Sequence, residues 1–453
     1  MSITPSSKPS DQVENTSSPA GNSQGIRRPS SLGGVLSVPG DKSISHRSMI
    51  LNSIANGDAL VKGLSGGEDV ISTMRCLQAM GVSIEPEGDV GSYRVKGRGA
   101  NLEEPSDILD AGNSGTSMRL LAGILASQSF ISVITGDSSC RRRPLKRIGD
   151  PLKQMGAQIL GRQNDTMAPL VVRGGSLNGI DYDLPMASAQ VKSAVMLAGL
   201  SAAGDTVIRQ PALSRDHTER MVTAMGGKIE ENGLELIIHP SELKAVDITV
   251  PGDISSAAYW MVAGLCHPNA KILIRGVGLN PSRTGIVDVL KEMGAGEALQ
   301  LVNERMEGGE PVSDILVTST ELHGVVVSGD MIPRMLDEVP ILAVAACFAT
   351  GDTVIRDATE LRVKETDRIF TTVTELTRLG ANIKAQEDGM IIHGNSPLTG
   401  AECQSHGDHR LAMSMAVAGL LGNGEVIVNG ANDASVSYPE FWQHLQSLIQ
   451  DVR

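Results

Sequence analysis

The feature that most limits what this chain can fold into is internal repetition. One pattern recurs about every 70 residues, and repeats of that kind mark a fold assembled from similar units. Each unit opens on a polar loop and continues as a helix rich in Ala, Gly and Met. A turn, a Val/Ile-rich strand, a second polar loop and a second helix follow. The opening loops are Gly40-Asp41-Lys42-Ser43, Gly112-Asn113-Ser114-Gly115-Thr116, Ser188-Ala189-Gln190, Gly252-Asp253-Ile254-Ser255, Asp337-Glu338-Val339-Pro340 and Gly407-Asp408-His409-Arg410. The strands fall near Leu60, Val133, Val207, Leu273, Val354 and Ile427. Second helices close at Met80-Gly81, Met155-Gly156, Met225-Gly226, Met293-Gly294 and Leu379-Gly380, and the sixth runs from Tyr438 to Ile449.

The phrase Val-Pro-Gly-Asp occurs at 38–41 and again at 250–253. The chain therefore reads as two halves of three units each. Small residues let the first helices pack on every side, which marks them as buried. The second helices are amphipathic, with Ile369, Val373 and Leu376 on one stripe. The expected class is α/β (α+β), with helices inside and sheet around them.

Equivalent loops should lie on equivalent faces, so parallel first helices would bring their N-termini to one surface. Such ends carry free N–H groups and positive dipole charge. At the first of them a strand-like run, Gly34 to Val38, stops at a Pro-Gly turn, and Ser43 or Ser45 can cap the helix that follows. Lys42 and Arg47 then sit where a purely structural design would place acids. Cations and hydroxyls at a helix start make sense if an anion docks among them. Asn113, Gly115, Thr116, Ser188, Gln190 and Arg410 fall at the equivalent starts; Arg143, Ser214, Arg215, Lys364, Glu365 and Arg368 fall in the second loops. Arg143, fixed beside Pro144, suits a planar fork onto an anion. In Leu361-Arg362-Val363-Lys364-Glu365-Thr366-Asp367-Arg368, the spacing predicts that Lys364, Glu365 and Arg368 share one helical face. Elsewhere such a run would be a solvated ion-pair ladder; here it sits among anion-binding candidates. Lys364 beside Glu365, with Asp337 as a second carboxylate, offers acid and base at close quarters. His409 reads equally as a structural or a catalytic ring.

Composition removes several classes. The 453-residue chain carries net charge −13 and only 2% aromatic residues. Nucleic-acid binding is disfavoured, since it calls for a basic face and stacking rings. Many cations at helix starts in an acidic protein point to a polyanionic ligand. No apolar run reaches the roughly 18 residues of a membrane span. The five cysteines form no CxxC pair and the histidines show no ligand spacing, so neither disulfides nor a protein-held metal is expected. Residues 1–31 are rich in Ser, Pro, Asn and Gly and read as a disordered tail. Nothing there resembles a secretory or transit signal, so the cytoplasm is the expected location.

Taken together, Pro39-Gly40-Asp41-Lys42-Ser43 with Arg47, the run Gly112 to Arg119, Arg362 to Arg368 and Asp408-His409-Arg410 closely resemble the EPSP synthase family. The resemblance spans Gly34 to about Leu448. It implies an inside-out α/β barrel of two similar domains, each of three βαβαββ units. One domain would hold residues 32–40 and 250–453, the other 41–249. It implies transfer of the enolpyruvyl group of phosphoenolpyruvate to the 5-hydroxyl of shikimate 3-phosphate, with no cofactor and a monomeric enzyme.

Carried over position by position, Lys42, Ser43, Arg47, Ser188, Ala189, Gln190, Ser214, Arg215, Asp337 and Lys364 would hold shikimate 3-phosphate. Lys42, Gly115, Arg143, Gln190, Arg368 and Arg410 would hold phosphoenolpyruvate. Asp337, Glu365, Lys42 and Lys364 would carry the chemistry. Ser188 to Lys192 and Arg215 to Glu219 resemble the class II branch, in which Lys192 and Arg215 are the weaker phosphate candidates. Leu120 and Val436 depart from class I, which has a proline and a lysine there, so no role is carried to Val436. Two alternatives stand beside this reading. One is a UDP-N-acetylglucosamine enolpyruvyl transferase using a loop cysteine, for which Cys140 is the candidate. The other is a non-catalytic anion-binding homologue.

Overall fold

The Ala-rich helices are enclosed, as their composition requires. The computed structural model describes residues 22–450. Helices Lys42–Ser53, Gly115–Leu125 and Ala189–Gly199 are buried along most of their length, as are Ile254–Cys266, Val339–Phe348 and His409–Leu421. A helix without a polar face has to be surrounded. Small residues let these helices touch backbone to backbone: a Cβ on Gly123 would lie 2.3 Å from the Ala194 carbonyl oxygen.

Six sheets wrap these helices among the described residues, five of four strands and one of three. The second unit shows the order. Strand Leu109–Asp110 runs parallel to Ile131–Thr135, which pairs antiparallel with Met167–Arg173, and Gln158–Gly161 forms the far edge. Helix Gly115–Leu125 lies inside and Lys146–Gln154 beside it, giving βαβαββ. Each half is thus an inside-out barrel, with helices in the centre and sheet outside.

Two leading strands are exchanged between the halves. The parallel partner of Asp58–Lys62 is Ile248–Thr249, and that of Ala270–Gly278 is Leu32–Ser37. The two Val-Pro-Gly-Asp segments therefore cross side by side. The Asp41 N–H donates to the Pro251 carbonyl at 2.7 Å, and the Asp253 N–H to that of Pro39 at 2.8 Å. Nothing larger than glycine fits at position 40, where a Cβ would stand 1.9 Å from the Gly63 carbonyl oxygen. Two separate cores result. One runs from Ile44 to Val250; the other joins Ile26, Leu32, Leu36 and Val38 to residues from Ile254 to Leu448.

The sequence expectation of a disordered 1–31 segment is corrected in part. Ser23–Arg27 is a strand, antiparallel to Glu425–Asn429, and it completes the sixth sheet. It escapes a reading by composition because Ser-Gln-Gly-Ile-Arg has one large apolar residue and its partner lies about 400 positions away. Residues 1–21 lie outside the described residues. Ile26 is 4% exposed and packs on Gly419. Ile26→Ala is expected to cost about 2–5 kcal/mol, as large-to-small core changes do. Urea unfolding followed by circular dichroism checks this; no loss would mean that the strand is not held in the core.

Candidate active site

Helix starts from one half face carboxylates from the other across a cavity of about 130 Å³. Three buried helices supply Lys42 and Ser43, then Gly115 and Thr116, then Ala189 and Gln190 beside Ser188. Arg47, Arg143, Ser214 and Arg215 line the same side, and Asp337, Lys364 and Glu365 the opposite one. The convergence of helix starts is the one read from the repeats. Some local details differ. Asp41, not Ser43 or Ser45, caps the first helix, with its Oδ1 accepting from the Ile44 N–H at 2.8 Å. Ser188 occupies a cap position without making the side-chain bond, which leaves its hydroxyl at the cavity wall. Lys364 and Glu365 are not helical: they link a 3₁₀ turn, Thr359–Val363, to the helix Arg368–Arg378. The 3.6-residue spacing therefore placed them correctly near Arg368 for the wrong local reason.

Opposite charges meet across the cavity. Asp337 accepts from Arg215 Nη2 at 2.5 Å and from Arg368 Nη1 at 3.2 Å, with Lys364 Nζ at 3.7 Å. Glu365 accepts from Arg368 Nη2 at 2.5 Å and stands 3.5 Å from Arg143 Nη1. Lys42 Nζ donates to Asp69 Oδ2 at 2.9 Å. Burial alone would raise the two carboxyls. For Asp337, Lys364, Arg215, Arg410 and Arg368 outweigh it, and for Glu365, Arg368, Arg143, His409 and Lys42 do; both carboxyls lie well below the usual range. Burial lowers Lys364, with Asp337 opposing. His409 is pushed well below its ordinary value by burial and then by Lys42, so its ring is neutral at pH 7.

Two cations lack this compensation. Arg47 is 3% exposed and donates only to Thr218 Oγ1, the Ser43 carbonyl and Ser193 Oγ. Arg119, 5% exposed, donates to the Gly115 carbonyl and Gln190 Oε1. Neither has a carboxylate partner among the described residues, and burial pushes both guanidinium pKa values down to about 10. A buried charge without a counter-charge is costly. Both line the cavity, where an arriving anion would supply the missing charge.

The remaining sequence candidates lie off the cavity wall. Arg368 and Arg410 are buried and do not line the cavity. Arg368 is held by Asp408 at 2.8 Å and supports Asp337 and Glu365 from behind. Arg410 stands beside Tyr259 and lowers Asp337. Lys192, 1% exposed, is 2.5 Å from Glu219 and away from the cavity wall. Val436 lies off the wall as well, its carbonyl against Gly67. Cys140 is buried off the wall, and burial pushes its thiol up to about 11.

Sequence reasoning passed over Asp69, Arg119, Arg147 and Glu360, all at the cavity. Arg119 was within reach, since it lies four residues after Gly115 and so on the same helical face. Arg147 and Glu360 pair across 213 positions, and no local pattern joins them.

The family model described as EPSP synthase (3-phosphoshikimate 1-carboxyvinyltransferase) matches residues 26–445. A 3-phosphoshikimate 1-carboxyvinyltransferase of Herpetosiphon aurantiacus is 53% identical over 422 residues, covering 92% of this chain and 97% of that protein. One from Desulforamulus reducens is 51% identical over 420 residues, covering 92% and 97%. The EPSP synthase structure from Acinetobacter baumannii superposes with a TM-score of 0.83 at 42% identity, covering 95% of this chain and 99% of that one.

The unpaired cation makes a prediction. Arg47→Met should leave the melting temperature unchanged or raised, because an uncompensated buried charge is replaced by apolar volume. It should also shrink the thermal stabilisation given by millimolar inorganic phosphate. Differential scanning fluorimetry reads both. A destabilised variant that still gains fully from phosphate would show that Arg47 is structural.

Proposed function

The chain belongs to the EPSP synthase family, and from that premise we propose how its own residues transfer the enolpyruvyl group of phosphoenolpyruvate to the 5-hydroxyl of shikimate 3-phosphate, releasing phosphate. The observation that carries the reading is the opposition just described: two depressed carboxylates face uncompensated and shared cations across one small cavity. Two anionic substrates repel each other in water, and a cationic wall offsets that repulsion while fixing their orientation. Arg47, Arg215, Ser43, Ser188, Ala189, Gln190 and Ser214 are assigned to shikimate 3-phosphate, and Arg143, Gly115, Gln190 and Lys42 to phosphoenolpyruvate. Arg368 and Arg410, buried beside Glu365 and Asp337, are assigned to phosphoenolpyruvate as well.

The 5-hydroxyl oxygen bonds to C2 of phosphoenolpyruvate while C3 gains a proton. The tetrahedral adduct then loses phosphate from C2 and a proton from C3. Glu365 is assigned the proton at C3 and Asp337, with Lys364, the proton of the hydroxyl. Lys42 and Lys364 stabilise the charge that develops. An ionised Glu365 cannot donate. Its carboxyl is low because Arg368, Arg143 and Lys42 face it. Once phosphoenolpyruvate shares those cations, their hold on Glu365 weakens and its pKa rises. Substrate binding thus arms the acid.

The buried, high-pKa Cys140 speaks against the cysteine-dependent UDP-sugar transferase. Both carboxylates at the cavity speak against a merely anion-binding homologue. Two separate cores support two domains, 41–249 and 32–40 with 250–453, the second also taking in the strand Ser23–Arg27. We propose a monomer, the state that membership of the family implies. The five free cysteines support a reducing, cytoplasmic setting.

The deciding assay is phosphate release from phosphoenolpyruvate with shikimate 3-phosphate, set against UDP-N-acetylglucosamine as acceptor. Release only with the sugar nucleotide would overturn the reading. Glu365→Gln should lower turnover by roughly 10²–10⁴-fold, the range of a lost general acid–base, with a smaller loss of binding. Unchanged turnover would remove Glu365 from the chemistry. Calorimetry at pH 6–7 in buffers of different ionisation enthalpy should show proton uptake on phosphoenolpyruvate binding to the shikimate 3-phosphate complex, relative to Glu365→Gln. The sign follows from a depressed carboxyl whose pKa rises on binding. Equal proton exchange in the two proteins would contradict the arming step.

A further inference from the structure

Arg147 and Glu360 form the one two-pronged ion pair that spans the cavity between the halves among the described residues. Arg147, the second residue of helix Lys146–Gln154, donates from Nη2 to Glu360 Oε1 at 2.9 Å and from Nη1 to Glu360 Oε2 at 3.0 Å. The side chains are 13% and 26% exposed. Both line the cavity at a mouth that continues into an apolar groove flanked by Met186, Pro333 and Val363. Glu360 sits in the 3₁₀ turn Thr359–Val363, directly ahead of Lys364 and Glu365.

That turn is tied to its own half by Arg362, which donates to the Glu387 and Gln386 carbonyls and to Asp367. From the other half it receives Arg147, and at its far end Ser139 Oγ donates to the Glu365 carbonyl at 3.3 Å. Arg147 therefore grips the base of the segment that carries the proposed acid. With Glu360 occupied in this way, Arg147 is not a free cation like Arg47 or Arg119.

We propose that the Arg147–Glu360 pair is a closing latch: joining the halves, it sets the 359–365 segment so that Lys364 and Glu365 face the reacting atoms, and it shuts the cavity mouth against water. Both are positioning residues, and the proposal rests on the enolpyruvyl-transfer reading above. A bidentate Arg–carboxylate pair fixes geometry in two directions, which a single contact does not. Closure on this pattern acts on turnover more than on initial binding.

The test is a double-mutant cycle with Arg147→Gln, Glu360→Gln and the double variant, none of which removes much apolar packing. Each single variant should lower kcat by roughly 10- to 100-fold, with the double variant no worse than the poorer single, as expected of two residues acting as one unit. KM for phosphoenolpyruvate should change by less than about threefold, since the lost interaction is not a substrate contact. Backbone amides of 359–365 should exchange hydrogen faster in all three variants. If Glu360→Gln keeps wild-type kcat, or if the two losses multiply, the latch is wrong. A KM rise confined to Arg147→Gln would instead make that residue a direct anion ligand and overturn the proposal. Should the wild-type enzyme release no phosphate, the functional reading falls by itself. Hydrogen exchange then still decides the latch, and unchanged exchange at 359–365 defeats it.

Discussion

The two Val-Pro-Gly-Asp crossings govern how the two walls of the cavity meet. Because Leu32–Ser37 and Ile248–Thr249 pair into each other's halves, the chain passes between halves twice, at one place. There the caps of two buried helices, Asp41 and Asp253, share Arg283 at 3.3 and 3.4 Å. The same guanidinium donates to Ser255 at 2.7 Å and reaches Glu338, the neighbour of Asp337, at 3.5 Å. A buried arginine among three carboxylates is tolerable only because each partner offsets its desolvation. These ties hold the crossing together beside the cavity, whose walls begin at the neighbouring Lys42 and Asp337.

At the cavity, charge is unequal. Asp337 and Glu365 neutralise part of the cationic wall, while Arg47 and Arg119 have no carboxylate within ion-pair distance among the described residues and burial lowers both. The helix starts add partial positive charge from orientations fixed by the buried helices. A buried cation with no carboxylate in ion-pair reach is costly in the absence of a bound anion. The net charge of −13 does not conflict with this, since the local field is set by the groups at the cavity.

Much of this was legible in the sequence because the fold repeats. Six similar segments announced their own equivalence, and equivalence placed Lys42, Gly115 and Gln190 at one surface without any coordinates. The resemblance carried by residues 362–368 and 408–410 named the chemistry, and periodicity did not. What escaped was non-local. Ser23–Arg27 earns its strand from residues 425–429, not from its own composition. Arg147 and Glu360 look like ordinary surface charges until the halves face each other. Arg368 reads as an anion ligand, and the sequence does not show the ring of Asp408, Glu365 and Asp337 that surrounds it. Such distinctions depend on which partner reaches a side chain first, and a linear pattern does not record that.

The strand Ser23–Arg27, first among the described residues, completes the sheet of the sixth unit, and this bears on synthesis at the ribosome. The core from Ile44 to Val250 is contiguous in the chain and can consolidate while translation continues. Leu32–Ser37 must wait for Ala270–Gly278, and Ser23–Arg27 for Glu425–Asn429. Two edges of the nascent protein thus stay unpartnered, the second until Glu425–Asn429 has been made. Unpaired strands of that kind are what folding helpers shield, so the half that closes last carries the greater risk of going astray.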